Sequence, residues 1–260
     1  MNLDPVQRAA QEQFSRQSDR YGRGHILEQT DDVREAMRHV GIPAEADVLD
    51  VATGGGHTAL YLAGLGHRVT ASDVSAAMLE RTTELARQRG LSLTPREHAA
   101  EKLPYADEEF DLVSCRVAAH HFSSPAAFIS ESARVLRTGG YFLLIDGSVA
   151  DGQSEAEEWL HAIEKLRDPS HHRFLTPGQW RALCENSGLE VKEASLSPFK
   201  QPDLNWYFET ASTSAANRER VLQLVEDAPP SVRTLFGLAR EEGKIIWWWQ
   251  RLTLVAQKPQ

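Results

Sequence analysis

Three groups of residues in this chain are of types that can do chemistry. The first is the run Val48-Leu49-Asp50-Val51-Ala52-Thr53-Gly54-Gly55-Gly56-His57. Successive glycines let the backbone turn sharply and let a ligand reach main-chain N–H groups with no Cβ in the way. The apolar stretch Thr58 to Leu65 reads as a helix starting at the same place. Its unpaired N–H groups and positive dipole end favour an anionic or strongly polar ligand group. Nineteen residues after Gly54 stands Asp73, at the tip of a second strand-like run, where a carboxylate accepts hydrogen bonds from ribose hydroxyls. The second group is two histidine pairs, His120-His121 and His171-His172. An imidazole with its usual pKa near ~6.5 suits a base at neutral pH. Binding a substrate, packing the core and anchoring a loop are the other roles open to these pairs. A metal is not expected, because adjacent residues point in different directions and no cysteine or carboxylate stands at ligand spacing. The third group is Arg173, suited to an acidic substrate group, and the aromatics Trp206-Tyr207-Phe208 and Trp247-Trp248-Trp249. These either pack the core or wall a site for a planar molecule.

The elements that must hold these residues follow from periodicity. Residues 46–51, 68–72, 91–96, 110–115 and 141–145 read as strands, with helices at 75–89 and 124–136 between them. Such alternation implies a parallel sheet with right-handed crossovers and ligands at the carboxyl ends of the strands. Asp50, Asp73, Ala99, Arg116 and Asp146 all fall at such ends, which predicts one crevice. Ser154 to Glu157 reads as a capping box opening a helix with Trp159, Leu160, Ile163 and Leu166 on one face. Thr176 caps the next helix, with Pro177 at its first position. Strand six is expected over 189–196 and strand seven over 244–256. Residues 1–44 read as an N-terminal helical cap, 45–201 with 244–260 as the main domain, and 202–243 as a helical insertion. A long insertion at that edge is expected to be a substrate lid, a peripheral elaboration being the alternative.

Four stretches together resemble the class I S-adenosylmethionine-dependent methyltransferases. Asp50 with the glycine cluster looks like the first motif, with Ala52 where glycine is commoner. Asp73-Val74-Ser75-Ala76-Ala77-Met78 looks like the ribose-binding acid and its helix. Ala100-Glu101-Lys102-Leu103-Pro104 leads into the fourth strand. Ala133-Arg134-Val135-Leu136-Arg137-Thr138-Gly139-Gly140 leads into the fifth. The similarity is strongest to the subgroup of the ubiquinone/menaquinone-biosynthesis C-methyltransferases. It implies a doubly wound, mostly parallel seven-stranded α/β sheet and S-adenosyl-L-methionine as cofactor. On this resemblance Asp50 orders the glycine loop, while Thr53 and the backbone near Ala52, Gly54 and Gly56 hold the methionine end. Asp73 takes the ribose, Val74 and Met78 flank adenine, and Ala99, Ala100 and Glu101 hold its edge. The subgroup usually has Asp at position 99, so Ala99 implies weaker binding and leaves the adenine edge to backbone groups or His98. Tyr21 and Arg116 are further cofactor contacts, Tyr21 being equally suited to a core or hinge. Asp146, Arg173 and Trp206 are candidates for the acceptor. A cofactor-binding scaffold without activity and a nucleotide-dependent oxidoreductase are the competing readings.

Composition sets the bounds. The 260 residues carry a formal charge of −9, with 41% hydrophobic and 25% charged residues. That fits a soluble globular chain and lacks the basic footprint that nucleic acid requires. Two cysteines at no ligand spacing suit a reducing compartment, and no run approaches the ~18 apolar residues of a membrane span. The start lacks the basic and apolar regions of a signal peptide. A cytoplasmic enzyme acting on a small-molecule methyl acceptor is expected, as monomer or homodimer, without nucleic-acid or membrane partners.

Overall fold

The structure, a computed structural model, describes residues 2–21 and 25–260. The break in helical pattern expected at residues 22–24 lies outside the described residues. The elements run α1 (Pro5–Gln17), α2 (Asp31–Ala36), β1 (Asp47–Val51), α3 (His57–Gly64), β2 (Arg68–Asp73), α4 (Ala76–Gln88), β3 (Thr94–Glu97), β4 (Phe110–Arg116), α5 (Pro125–Val135) and β5 (Leu136–Ser148). They continue with α6 (Ser154–Arg167), α7 (Pro177–Asn186), β6 (Glu190–Lys200), α8 (Leu204–Ala211), α9 (Ala215–Glu226), α10 (Pro230–Leu235), β7 (Ala239–Glu241), β8 (Lys244–Ile246) and β9 (Trp248–Gln257).

Seven strands form one sheet in the order β3-β2-β1-β4-β5-β9-β6. The first five are parallel, and β9 runs antiparallel to both β5 and β6. The buried apolar character of β1 and β4 follows from their central position, covered on both faces. One face packs Phe128, Ile129 and Trp180 of α5 and α7 against Val113 and Phe142. The other packs Val33, Ala59 and Leu62 against Val48 and Leu143. The strand order reverses between β1 and β4, and at such a switch point the loops part to leave a crevice.

Caps set where the helices begin. Asp4 accepts from the N–H groups of Val6 and Gln7, and Gln7 returns a bond, ahead of Pro5 at the first position. Ser75, Ser124 and Thr176 cap α4, α5 and α7. Ser154 does not form the expected capping box: α6 starts at Ser154 and the preceding Gln153 makes no side-chain cap. The expected seventh strand is also divided. Lys244–Ile246 pairs with Ala239–Glu241 in a separate two-stranded sheet, and the last strand of the main sheet starts at Trp248.

The insertion builds a second core rather than extending the first. Trp159 and Ile163 of α6, Tyr207 and Phe208 of α8, Val221 and Val225 of α9, Phe236 and Trp247 are all buried together. The Trp159 ring stacks on Phe236 with centroids 5.4 Å apart, and Tyr207 meets Trp247 edge-on at 4.8 Å. Aromatic area of this size fixes α8 firmly to α6. That brings Trp206, Thr210 and Ala211 to the carboxyl end of the sheet.

Candidate active site

The crevice at the switch point is a single cavity, walled by α1, the loops after β1, β2, β3 and β4, Gly147 of β5, the end of α6, helix α8 and the strands β6 and β9. Its first half is shaped by backbone conformation. Ala52, Gly54 and Gly56 all take positive φ, at +53°, +52° and +77°. Glycine does so freely, whereas alanine does so at a cost, so Ala52 holds a conformation that the commoner glycine would adopt unstrained. A Cβ on Gly56 would lie 2.4 Å from Cγ2 of Thr82, and one on Gly55 2.8 Å from the Tyr21 carbonyl oxygen. Side chains are therefore excluded from both positions.

Asp50 stands behind this loop. Its carboxylate accepts from the Thr53 hydroxyl at 2.6 Å and the Ser114 hydroxyl at 2.7 Å, tying the loop to β1 and β4. Burial pushes its pKa up to about 6, against the pull of the two hydroxyls. Asp73 lines the cavity itself and accepts from the N–H groups of Gly54 and Ser75, each at 2.9 Å. Burial also lifts its pKa to about 6. A carboxylate has about four lone-pair sites, so two backbone bonds leave capacity for a ligand's hydroxyls. Val74, Ala99, Ala100 and Glu101 line the neighbouring wall. Glu101 is already engaged by the Gln7 amide at 2.8 Å and by Ser123. His98 lines the cavity too, yet its Nε2 pairs with the Tyr105 hydroxyl at 2.9 Å and its Nδ1 lies 3.0 Å from the Ala99 carbonyl. The imidazole is thus committed inward, which leaves the backbone of Ala99 and Ala100 to meet a ligand edge. Met78 is fully buried and does not reach the cavity wall.

The second half is made by side chains from distant parts of the chain. His120 lines the cavity and its Nδ1 lies 2.7 Å from Oδ1 of Asp146, while its backbone N–H donates to Oδ2 at 2.9 Å. Asp146 is 1% exposed and sits behind the ring rather than in the cavity wall. With Nδ1–H given to the carboxylate, the lone pair of the neutral ring is on Nε2. Burial opposes protonation of His120, but the Asp146 charge outweighs it and the pKa rises. His121 is held differently. Its Nδ1 pairs with the Ser170 hydroxyl, which donates to Asp168, and burial with the nearby His120 pushes its pKa down to about 4.

The second histidine pair does not join them in the cavity. His171 is buried beside His120, ring centroids 5.4 Å apart, with neither ring nitrogen partnered among the described residues. His172 and Arg173 donate their backbone N–H groups to the His120 carbonyl, so this stretch anchors the loop that carries His120. The Arg173 side chain points to solvent and pairs with Glu157, which removes it from the acceptor contacts expected of it. Trp206 does line the cavity, as do Tyr21 and Arg116. Arg116 is spent on its own chain: it binds Asp32 and donates to the carbonyls of Leu27 and Gln29. It positions the segment before α2. The following residue, Val117, has φ +54°, a conformation that β-branched residues rarely adopt and that is tolerated where the surroundings enforce it.

Several cavity residues escaped the sequence reading. His57 begins α3 and is 5% exposed, with neither ring nitrogen partnered among the described residues. Its place directly after the glycines was the available signal. Arg251 lies two positions after Trp249 on β9, so strand alternation puts both on one face, and both line the cavity. Arg167, Phe199 and Gln201 also reach it, with no local pattern to announce them. Among the described residues no group of three or more His, Cys, Asp or Glu side chains is placed to hold a metal. No helix there is long and apolar enough to cross a membrane.

Comparison with known proteins agrees with this geometry. The methyltransferase-domain family profile matches residues 49–144. The chain is 28% identical to the uncharacterized methyltransferase YcgJ of Bacillus subtilis over 86% of its own length and 88% of that protein. The crystal structure of YcgJ superposes with a TM-score of 0.84 at 25% identity, covering 89% of this chain and all of that one. Escherichia coli YafE, an uncharacterized protein, is 33% identical over 66% of this chain and 83% of its own. The ubiquinone/menaquinone biosynthesis C-methyltransferase UbiE of Bdellovibrio bacteriovorus is 29% identical over 49% of this chain and 65% of its own. The glycine loop at the switch point, the acid at the tip of β2 and these similarities together place the chain in the class I S-adenosylmethionine-dependent methyltransferases.

Proposed function

We propose that this enzyme moves the methyl group of S-adenosylmethionine onto a small-molecule acceptor, with His120 as the base. The observation that carries the reading is that the glycine-loop half and the His120–Asp146 half open into one cavity. The residues present fit the cofactor. Nothing lies within 4 Å of where a Cβ on Gly54 would stand, so its backbone is open to the cavity, Asp73 has capacity for the ribose hydroxyls, and the His57 ring nitrogens, unpartnered among the described residues, suit the amino-acid end. When bound, the cofactor supplies an electrophilic methyl carbon on a sulfonium, which leaves as a neutral thioether.

The remaining work falls to the chain. Trp206, Trp249, Phe199 and Phe14 wall the space next to His120 and exclude water from it. They hold an acceptor in one orientation, and alignment of reacting atoms is worth several orders of magnitude in rate. His120 Nε2 would take the proton that the accepting atom sheds, and Asp146 would stabilise the imidazolium that results. Calorimetry with S-adenosylhomocysteine tests the reading. Saturable binding at one site is expected for the intact protein, and absence of any heat would overturn it.

A further inference from the structure

One wall of the cavity carries an electrostatic imbalance. Arg116 and Arg251 both bind Asp32, at 2.9 Å each. The side chains of Arg116 and Asp32 are 6% and 3% exposed, and that of Arg251 is 18% exposed. One carboxylate cannot neutralise two guanidinium groups. Arg116 spends its other donors on backbone carbonyls, but the Arg251 side chain makes no hydrogen bond beyond Asp32 to any described residue, and its buried Nε has no partner among them. An orphaned donor on a buried cation is costly and is normally found where something else completes it.

Other carboxylates around the cavity are committed elsewhere: Asp50, which Arg116 also faces, accepts from Thr53 and Ser114. Glu164 serves Arg167 and the Tyr207 hydroxyl, Asp146 serves His120, and Asp168 serves Ser170. The Arg251 guanidinium lies over the Phe199 ring, 4.6 Å from its centroid. Arg251 sits opposite Gly147 on β5, on the β5 side of the sheet and away from β1 and β2, which carry the glycine loop and Asp73. Phe199 and Trp249 flank it on paired strands, with Trp206 beyond them in the same cavity.

Building on the methyltransferase reading, we infer that the acceptor is a planar aromatic molecule bearing a carboxylate, held through Arg251 between Phe199, Trp249 and Trp206. A carboxylate on Arg251 meets the donors that Asp32 leaves free and balances the second guanidinium. The aromatic walls then bury the ring and bring the accepting atom within the space that His120 lines.

The experiment uses the full chain saturated with S-adenosylhomocysteine, titrated with benzoate and 2-naphthoate and, as uncharged controls of the same shape, benzamide and 2-naphthamide. At least one acid is expected to bind tenfold or more tightly than its amide. Arg251→Met keeps the apolar stem over Phe199 and should erase that preference, while Arg251→Lys should keep part of it. Both variants should bind S-adenosylhomocysteine within twofold of the unmodified chain. Equal affinity for acid and amide, or no binding of either acid to the saturated protein, would overturn the inference. So would a tenfold loss of S-adenosylhomocysteine affinity in Arg251→Met, which would assign the guanidinium to the cofactor's own carboxylate. If S-adenosylhomocysteine fails to bind the unmodified chain, the methyltransferase reading fails first, and the titrations separate that case from the others.

Discussion

The two halves of the cavity are built from different materials. Around the glycine loop the polar surface is mostly backbone, fixed by hydrogen bonds between near neighbours: Thr53 to Asp50, Gly56 to Thr53, Ser75 to Asp73. Around His120 it is side chains gathered across long separations, such as His120 with Asp146 and Arg251 with Asp32. A binding surface of main-chain groups can be rebuilt with many sequences provided its glycines stay. One of side chains changes with each substitution. The first half is thus suited to a ligand that never varies, and the second to one that differs from relative to relative.

Substitutions can break or sharpen this contrast. The largest effect is expected from His120→Ala, which should slow methyl transfer about 10²–10⁴-fold while leaving S-adenosylhomocysteine affinity unchanged by calorimetry. Asp146→Asn is the subtler partner. Because the carboxylate holds the His120 pKa up, its removal should move the acidic limb of the pH–rate profile to lower pH as well as lowering the plateau. Should either variant lose cofactor binding in step with turnover, the division between the halves would be wrong.

Asp73→Ala should do the reverse, weakening S-adenosylhomocysteine about 30–100-fold, the worth of about 2–3 kcal/mol for hydrogen bonds to a charged group. The same carboxylate predicts a pH dependence. Its pKa of about 6 in the folded chain means that acidification through that value protonates it and removes acceptor capacity. Affinity should be constant above pH 7 and fall below pH 6. A flat profile from pH 5 to 8 would show that Asp73 does not hold the ribose.

Much of the first half was legible in the sequence because it is local. The glycines, Asp50, Asp73 and the strand tips lie within one βαβ unit, and turn chemistry and alternation were enough to place them. The second half was legible only in fragments. His120, Asp146 and Trp206 were singled out, but their neighbours Arg167, Arg251 and Phe199 enter through contacts spanning many tens of residues. His171-His172 and Arg173 could not be placed for the same reason. A pair of histidines after a strand reads alike whether it faces a cavity or pins a loop, and here the pinning is done by backbone N–H groups. Lys244–Ile246 has the composition of a strand and is one, but it pairs with residues 239–241, a choice of partner no propensity encodes.

The smallest expected effect tests the loop's strain. At φ +53°, Ala52 pays for a conformation that glycine adopts freely. Ala52→Gly should therefore raise stability by about 0.5 kcal/mol, roughly 1–2 °C in thermal midpoint, with cofactor affinity unaltered. A clear drop in midpoint would mean the methyl group packs usefully enough to offset its backbone cost.

Helix α1 joins the two halves. It closes over the cavity through Gln7 to Glu101, Gln11 to the Val74 carbonyl, Ser15 to Ser75 and Gln13 to the Ala211 carbonyl, and two of its three buried residues are glutamines. Phe14 adds an apolar contact from the same helix, its ring meeting His121 edge-on with centroids 4.8 Å apart. Ala211 belongs to the insertion and Val74 to the loop after β2, which makes α1 a latch spanning both halves. A substitution that cuts its contacts on either side therefore disturbs a wall common to both ends of the cavity.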